Sequence, residues 1–242
     1  MQTKLSWEKF KPLFGTWDDI IKPFFDKGGF DPIYEFLKSE SKRGKKIAPL
    51  SNDVYRCFQE TPIDDLKVVL LGMCPYHTLF DGRPVADGLL MGCSVTGKLQ
   101  PSLEQFYNAL EEDLYNGLNL RINKHPDVSY LAHQGVLMLN AALTTEINKA
   151  GSHLKIWEPF IKHIFENAIA HTRVPVVFLG KEAEKFKRYM APLTWSFVLS
   201  HPASASYKNT QWSTEKTFSK LNRMMIDEKR QLINWLDEDP PF

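Results

Sequence analysis

Four short apolar runs, Val68 to Gly72, Val136 to Leu139, Val174 to Leu179 and Trp195 to Leu199, have the length and β-branched character of strands. Stretches with apolar residues at intervals of three and four lie between or after them. Ser102 to Leu114 opens on the capping pattern Ser102-Leu-Glu-Gln105, Trp157 to Thr172 follows the second strand, and Lys181 to Met190 is short and amphipathic. Trp17 to Phe25 and Ile33 to Lys38 read as helices of an N-terminal flank, and Thr217 to Leu236 as one long closing helix. This alternation predicts an α/β fold in three layers, a central four-stranded parallel sheet with helices on both faces. The 242 residues suit a single domain, residues 1–242, with a helical flank over about 1–65.

An open parallel sheet binds ligands outside the carboxyl ends of its strands, so the residues after each run are the candidates. They are Met73-Cys74-Pro75-Tyr76-His77, Asn140-Ala141-Ala142-Leu143-Thr144, Gly180-Lys181, and His201-Pro202-Ala203-Ser204-Ala205-Ser206. Together they offer an aromatic wall, an amide that both donates and accepts, and an imidazole, which suits recognition of a nucleobase edge. Cleavage of an N-glycosidic bond leaves a cationic sugar and an anionic base. A donor aimed at the base oxygen lowers that barrier, and His201 is the candidate donor. Asn140 has the paired donor and acceptor that a pyrimidine's imide edge requires.

Charge adds a constraint. Lys and Arg total 30 against 29 Asp and Glu, so any nucleic-acid surface must be local. Lys208, Lys216, Lys220 and Arg223 follow the last loop and form an expected basic rim, with Tyr207 and Trp212 in the same segment. The SKRGKK run at 41–46 reads as a solvated, mobile loop or a phosphate contact. Cys57, Cys74 and Cys93 show no metal-ligand spacing, which predicts a reduced setting and neither metal nor organic cofactor. The N-terminus lacks an apolar leader, and no apolar run approaches the roughly 20 residues of a membrane helix. A soluble, cytoplasmic protein is expected, nuclear in a eukaryotic host.

Three segments resemble the family 1 uracil-DNA glycosylases. LKVVLLGMCPYH (66–77) is similar to that family's first signature, normally GQDPYH; QGVLMLNAALTTEINKAGSH (134–153) to its uracil-recognition strand and following loop; HPASAS (201–206) to its HPSPLS loop. The likeness runs from Ser6-Trp7 through GKKIAPLSNDVYRCFQETPIDD and on past Trp157, nearly the whole chain. It implies a monomer that acts on single- or double-stranded DNA and hydrolyses the bond of a flipped pyrimidine, uracil first and a modified pyrimidine second. By this resemblance Asn140 would hydrogen-bond the base, with Met73 beside it. Tyr76 would close off the C5 edge, and His201 would support O2. Pro75, Pro101 and Ser102 would compress the DNA backbone. His77, His153, Ser204, Ala205, Ser206 and Lys208 complete the expected DNA-binding set, His153 by ordering the loop after the recognition strand.

The departures fall at the chemistry. Met73 replaces the family's glutamine and Cys74 its water-activating aspartate. Met91 aligns with its base-stacking phenylalanine, or Cys93 under a shifted alignment. The loop TLFDGRPV is longer than usual, and Ala205 stands where the family has a wedging leucine. A thiol with an ordinary pKa of about 8.5 neither activates water well nor stabilises the sugar cation at neutral pH. Three readings follow: another acid, Asp81 or Asp87, works near the sugar; the pocket takes a modified base; or the chain is a non-catalytic DNA- or lesion-binding scaffold. Attack by a Cys74 thiolate is a fourth route, without a neighbouring base in the sequence.

Overall fold

The computed structural model describes residues 5–115 and 122–238. Four parallel strands, β1 (Val68–Gly72), β2 (Val136–Asn140), β3 (Val176–Leu179) and β4 (Ser196–Leu199), make the central sheet in the spatial order β2-β1-β3-β4. β1, β2 and β3 are buried along their whole length, as continuous apolar runs in a covered parallel sheet should be. β4, whose first three residues are only partly buried or exposed, takes an edge. The register aligns Gly72 with Asn140 and Leu179 with Leu199, so the carboxyl ends finish level and their loops share one rim. β1 ends in glycine for a steric reason: a Cβ there would sit 2.2 Å from Leu90 Cδ1 and 3.1 Å from Asn140 Oδ1.

The helices that matter for the site are α1 (Phe30–Lys42), α2 (Pro101–Tyr115), α3 (Leu154–Ile164), α4 (Pro202–Lys208) and α5 (Thr217–Asp227). α1 packs on α3, while α4 and α5 both pack on α2. The N-terminal flank belongs to the core, because Phe160 of α3 makes ring contacts with Phe14, Phe24, Phe30 and Phe58. Such pairs add roughly 0.5–1.5 kcal/mol each beyond their buried area.

Four expectations change. Ser102 is not a cap: α2 starts one residue earlier, Ser102 is buried, and its hydroxyl bonds the Tyr76 hydroxyl at 2.6 Å. α3 begins at Leu154, earlier than expected, and passes through a π-helical turn at Phe165–Ile169 before ending at Thr172. The closing helix stops at Asp227. Lys229 turns left-handed (φ 56°), its N–H donates to the Ile226 carbonyl, and the Arg230 N–H reaches back to the Met225 carbonyl, which is a Schellman stop. Beyond it, Ile233, Trp235 and Leu236 fold inward, held by the Asn222 side chain. The SKRGKK segment is tied down: Lys45 is ion-paired with buried Glu40 and, at 3.1 Å, with Glu146 in the loop after β2, Arg43 pairs with Glu40 at 3.1 Å, and the Lys46 carbonyl accepts the Ile147 N–H at 2.9 Å. Ile47–Ala48 then pairs with Thr145–Glu146, which fixes that loop to the end of α1.

Candidate active site

A cavity of about 590 Å³ opens at the carboxyl rim of the sheet. The loop after β1 supplies Met73, Cys74, Pro75, Tyr76 and His77 to its wall; the start of α2 supplies Pro101 and Ser102; the end of β4 and α4 supply His201, Ser204 and Ser206. Three sequence segments distant from one another therefore meet, and most of the anticipated residues meet there.

His201 is the N-cap of α4. Its Nδ1 accepts the Ala203 N–H at 3.1 Å, so the ring proton resides on Nε2. Burial pushes its pKa down to about 4, which keeps the imidazole neutral at physiological pH. Ser204 Oγ donates to the His201 carbonyl at 2.7 Å, and Ser206 Oγ donates to the Pro101 carbonyl at 3.1 Å. These serines hold α4 in place. The result is a fixed, uncharged N–H donor.

Cys74 lies across from this helix, after β1. Its Sγ accepts the Gly151 N–H at 3.2 Å. Burial raises the thiol pKa, opposed by the Gly151 N–H and the Thr145 hydroxyl, so the sulfur is protonated at neutral pH. A covalent thiolate route therefore lacks its nucleophile. Tyr76 is held by its bond to Ser102, and burial raises its phenol pKa out of the working range. His77 Nδ1 is buried without a partner.

Asn140 ends β2 and is 3% exposed, with Oδ1 unpaired. A buried acceptor left without a partner is costly by roughly 1–3 kcal/mol, so this oxygen favours a ligand that donates to it. The Asn140 side chain is not itself a wall of the cavity. Leu90, which is, crowds the same Gly72 position and so lies beside the Asn140 amide.

Met91, not Cys93, faces the cavity; Cys93 is fully buried and directs Sγ to the Lys98 carbonyl. Met91 adopts φ 60°, uncommon for a side-chain-bearing residue. Asp87 holds that turn. Its Oδ1 accepts the Leu89 N–H (3.2 Å), while Oδ2 accepts the Ser94 N–H (3.0 Å) and hydroxyl (2.7 Å) and pairs with Arg56 at 3.1 Å. A Cβ on Gly92 would strike the same carboxylate.

Several anticipated roles are corrected by these positions. Asp87 is buried and fully engaged, so it cannot attend a sugar. Asp81 forms, with Gly82, the exposed tip of the hairpin joining Leu79–Phe80 to Arg83–Pro84, its φ of 48° matching that turn, and it does not line the cavity. His153 is 1% exposed and so makes no direct DNA contact; it bonds Thr144 Oγ1 at 2.9 Å, in the loop after β2 that it was expected to order, and Thr144 Oγ1 in turn accepts the Trp157 indole N–H, while burial lowers the His153 pKa. Ala205 points inward at 5% exposure. Trp212 is buried, its indole donating to the Ser200 carbonyl. Of the expected rim, Lys208 is exposed beside the cavity, Lys216 and Lys220 reach backbone carbonyls, and Arg223 pairs with Asp227.

Lys181, a strand-end candidate, and Tyr207, expected in the basic-rim segment, both line the wall; Gln100 and Glu182 are wall residues the sequence did not single out. Glu182 is the carboxylate among the described lining residues, but it is ion-paired with Lys185 at 2.6 Å. Lys181 and Glu182 follow β3 directly, and their place at the rim was the available signal. Among the described residues no His, Cys, Asp or Glu cluster is grouped to hold a metal, and no helix is long and apolar enough to cross a membrane.

Comparison with known proteins gives a consistent answer. Residues 58–225 match the model of the uracil DNA glycosylase superfamily. The chain is 34% identical over 224 residues to a uracil-DNA glycosylase of Vibrio campbellii, covering 91% of this chain and 95% of that protein. It is also 34% identical over 230 residues to one of Caenorhabditis elegans, covering 92% and 77%. The crystal structure of mimivirus uracil-DNA glycosylase superposes with a TM-score of 0.81 over 96% of this chain and 90% of that one, at 24% identity, a likeness of fold.

Proposed function

The chain belongs to the uracil-DNA glycosylase superfamily and is a DNA glycosylase that removes uracil; from that premise we propose how its own residues do so. A uracil flipped from DNA enters the rim cavity, and its glycosidic bond is hydrolysed there by a monomer to leave an abasic site. The non-catalytic scaffold reading is not favoured.

His201 donates from Nε2 to the uracil O2 as negative charge gathers on the departing base. A neutral donor is well suited to this: the Ala203 N–H fixes the tautomer, and burial removes competing water. Asn140 reads the imide edge, Nδ2 donating to O4 and Oδ1 accepting from N3–H. Cytosine presents the opposite pattern and is refused. Tyr76, pinned by Ser102, closes the C5 side against a methyl group. Met91 offers a flexible, polarisable face for the ring. With a neutral thiol at position 74, nothing at that wall carries negative charge to the sugar, so stabilisation of the leaving base bears most of the catalysis.

The observation that carries this reading is the unpaired, buried Oδ1 of Asn140 at the same strand-end rim as a tautomer-locked His201. The test is base release from oligonucleotides containing uracil, thymine or cytosine. Uracil release that disappears in both Asn140→Ala and His201→Ala supports the assignment. Undiminished release in either variant refutes its role.

A further inference from the structure

We propose that Tyr207 is the residue that fills the gap left in the base stack when the nucleotide is extruded, a positioning role that rests on the glycosylase reading above. Tyr207 is 84% exposed, yet it lines the cavity and stands at its mouth on α4. Among the exposed large hydrophobic side chains of the described residues, which include Leu193 and Trp195, Tyr207 is the one that also lines the cavity, so its open ring is placed to meet a base bordering the extruded nucleotide.

Its mounting is rigid. α4 is fastened by Ser204 to the His201 carbonyl and by Ser206 to the Pro101 carbonyl, and it ends at left-handed Asn209, whose N–H returns to the Ser206 carbonyl. The ring is therefore presented by a fixed helix adjoining the catalytic imidazole.

Helical phase explains why Ala205 does not do this job. Residues two apart on a helix point about 200° apart. With Ala205 turned inward at 5% exposure, where α4 packs on α2, Tyr207 must face outward. A methyl group buried in that contact can neither reach DNA nor hold open a stack, whereas a phenol ring offers a π-face to any neighbouring base. Lys208, exposed next to it, supplies a cation for the adjoining phosphate.

The role predicts a dependence on substrate form. Single-stranded uracil needs no gap filled, while duplex uracil does. The test compares wild type, Tyr207→Ala and Tyr207→Phe for kcat/KM on single-stranded and duplex uracil oligonucleotides. It also follows the fluorescence of a duplex with 2-aminopurine beside the uracil, which rises when the neighbouring base leaves the stack. In Tyr207→Ala the duplex-to-single-strand ratio of kcat/KM is expected to fall roughly ten- to a hundredfold, the scale of base–aromatic stacking. The fluorescence rise should be lost with it, and Tyr207→Phe should restore both. An unchanged ratio in Tyr207→Ala overturns the proposal, as does an equal loss on both substrates, which would mean that the ring only shapes the cavity. Wild type that releases no uracil from either substrate defeats the glycosylase reading instead. The fluorescence comparison still judges Tyr207 in that event, because extrusion precedes cleavage: a rise in wild type that vanishes in Tyr207→Ala supports it, and a rise that persists in Tyr207→Ala, or none in wild type, overturns it.

Discussion

The two sides of the cavity differ in how completely they are built for bond cleavage. On the β4 side, His201 has a fixed tautomer, a depressed pKa and a helix held by two serine hydrogen bonds. On the β1 side, Cys74 has a single N–H partner and no charge, and the nearby acids are absent or occupied: Asp81 on a hairpin tip, Asp87 locked to Arg56 and Ser94. On the proposed mechanism, support for the departing base and support for the sugar come from separate elements of the rim, and the two can be varied separately.

Removal of the intact half should have the largest effect. His201→Ala deletes a preorganised donor to the leaving group, and kcat for uracil is expected to fall about 10²–10³-fold with duplex binding preserved. Steady-state release of base with a parallel binding titration checks it. A fall below tenfold would mean that the contrast between the halves is drawn wrongly.

Repair of the deficient half should have the next largest effect. Cys74→Asp places a carboxylate where the Gly151 N–H already points, and the uracil rate is expected to rise roughly ten- to a hundredfold, part of what a positioned base contributes. Single-turnover kinetics reads it directly. No rise would mean that the β1 loop is displaced from the sugar and that the substitution alone does not explain the asymmetry.

Asp87 tests whether the β1 side is organised for structure in place of catalysis. Asp87→Asn keeps the shape but removes the charge facing Arg56, which retains Glu60 and Asp127 as partners. A stability loss of about 2 kcal/mol is expected, with KM raised more than kcat is lowered because the Met91 turn loosens. Denaturant unfolding and kinetics together check it; a collapse of kcat at unchanged stability would restore Asp87 as a catalytic acid.

Much of this was readable in the sequence, unevenly and for physical reasons. Strand cores are set by runs such as VVLLG and VLMLN, whose apolar content is local information, and the rim follows from where they stop. Chemistry-bearing residues at those stops, Asn140 and His201 above all, stood out because parallel sheets bind ligands there. What failed depended on partners remote in sequence. Ser102 looked like a cap because its partner Tyr76 lies far upstream. Asp87 looked available because Arg56 and Ser94 could not be seen to reach it. Ala205 turns inward and Tyr207 outward on the same short helix, a matter of helical phase that alignment of the loop does not carry. The last helix was overextended because Lys229 stops it in a left-handed conformation that glycine usually signals.

The smallest effect is one of pH on stability, and it isolates the intact half. Burial lowers the His201 pKa from 6.5 to about 4, so between these values the unfolded chain binds a proton that the folded chain refuses. Unfolded protein therefore gains on acidification: stability is undiminished above pH 6.5, falls as pH drops toward 4, and is constant in this group below that. Between pH 7 and 5.5 the loss amounts to about 1 kcal/mol. Buried His153 shifts in the same direction and adds to the slope, so the comparison must be made within one background. His201→Asn keeps an acceptor for the Ala203 N–H but has no proton to take up. Its stability should be flatter than wild type over that range in denaturant melts, while Cys74→Ser, on the other side of the cavity, should leave the slope as it was. Parallel slopes in wild type and His201→Asn would mean that the imidazole is solvated enough to charge in place, and a neutral, fixed donor would no longer distinguish the β4 side from the β1 side.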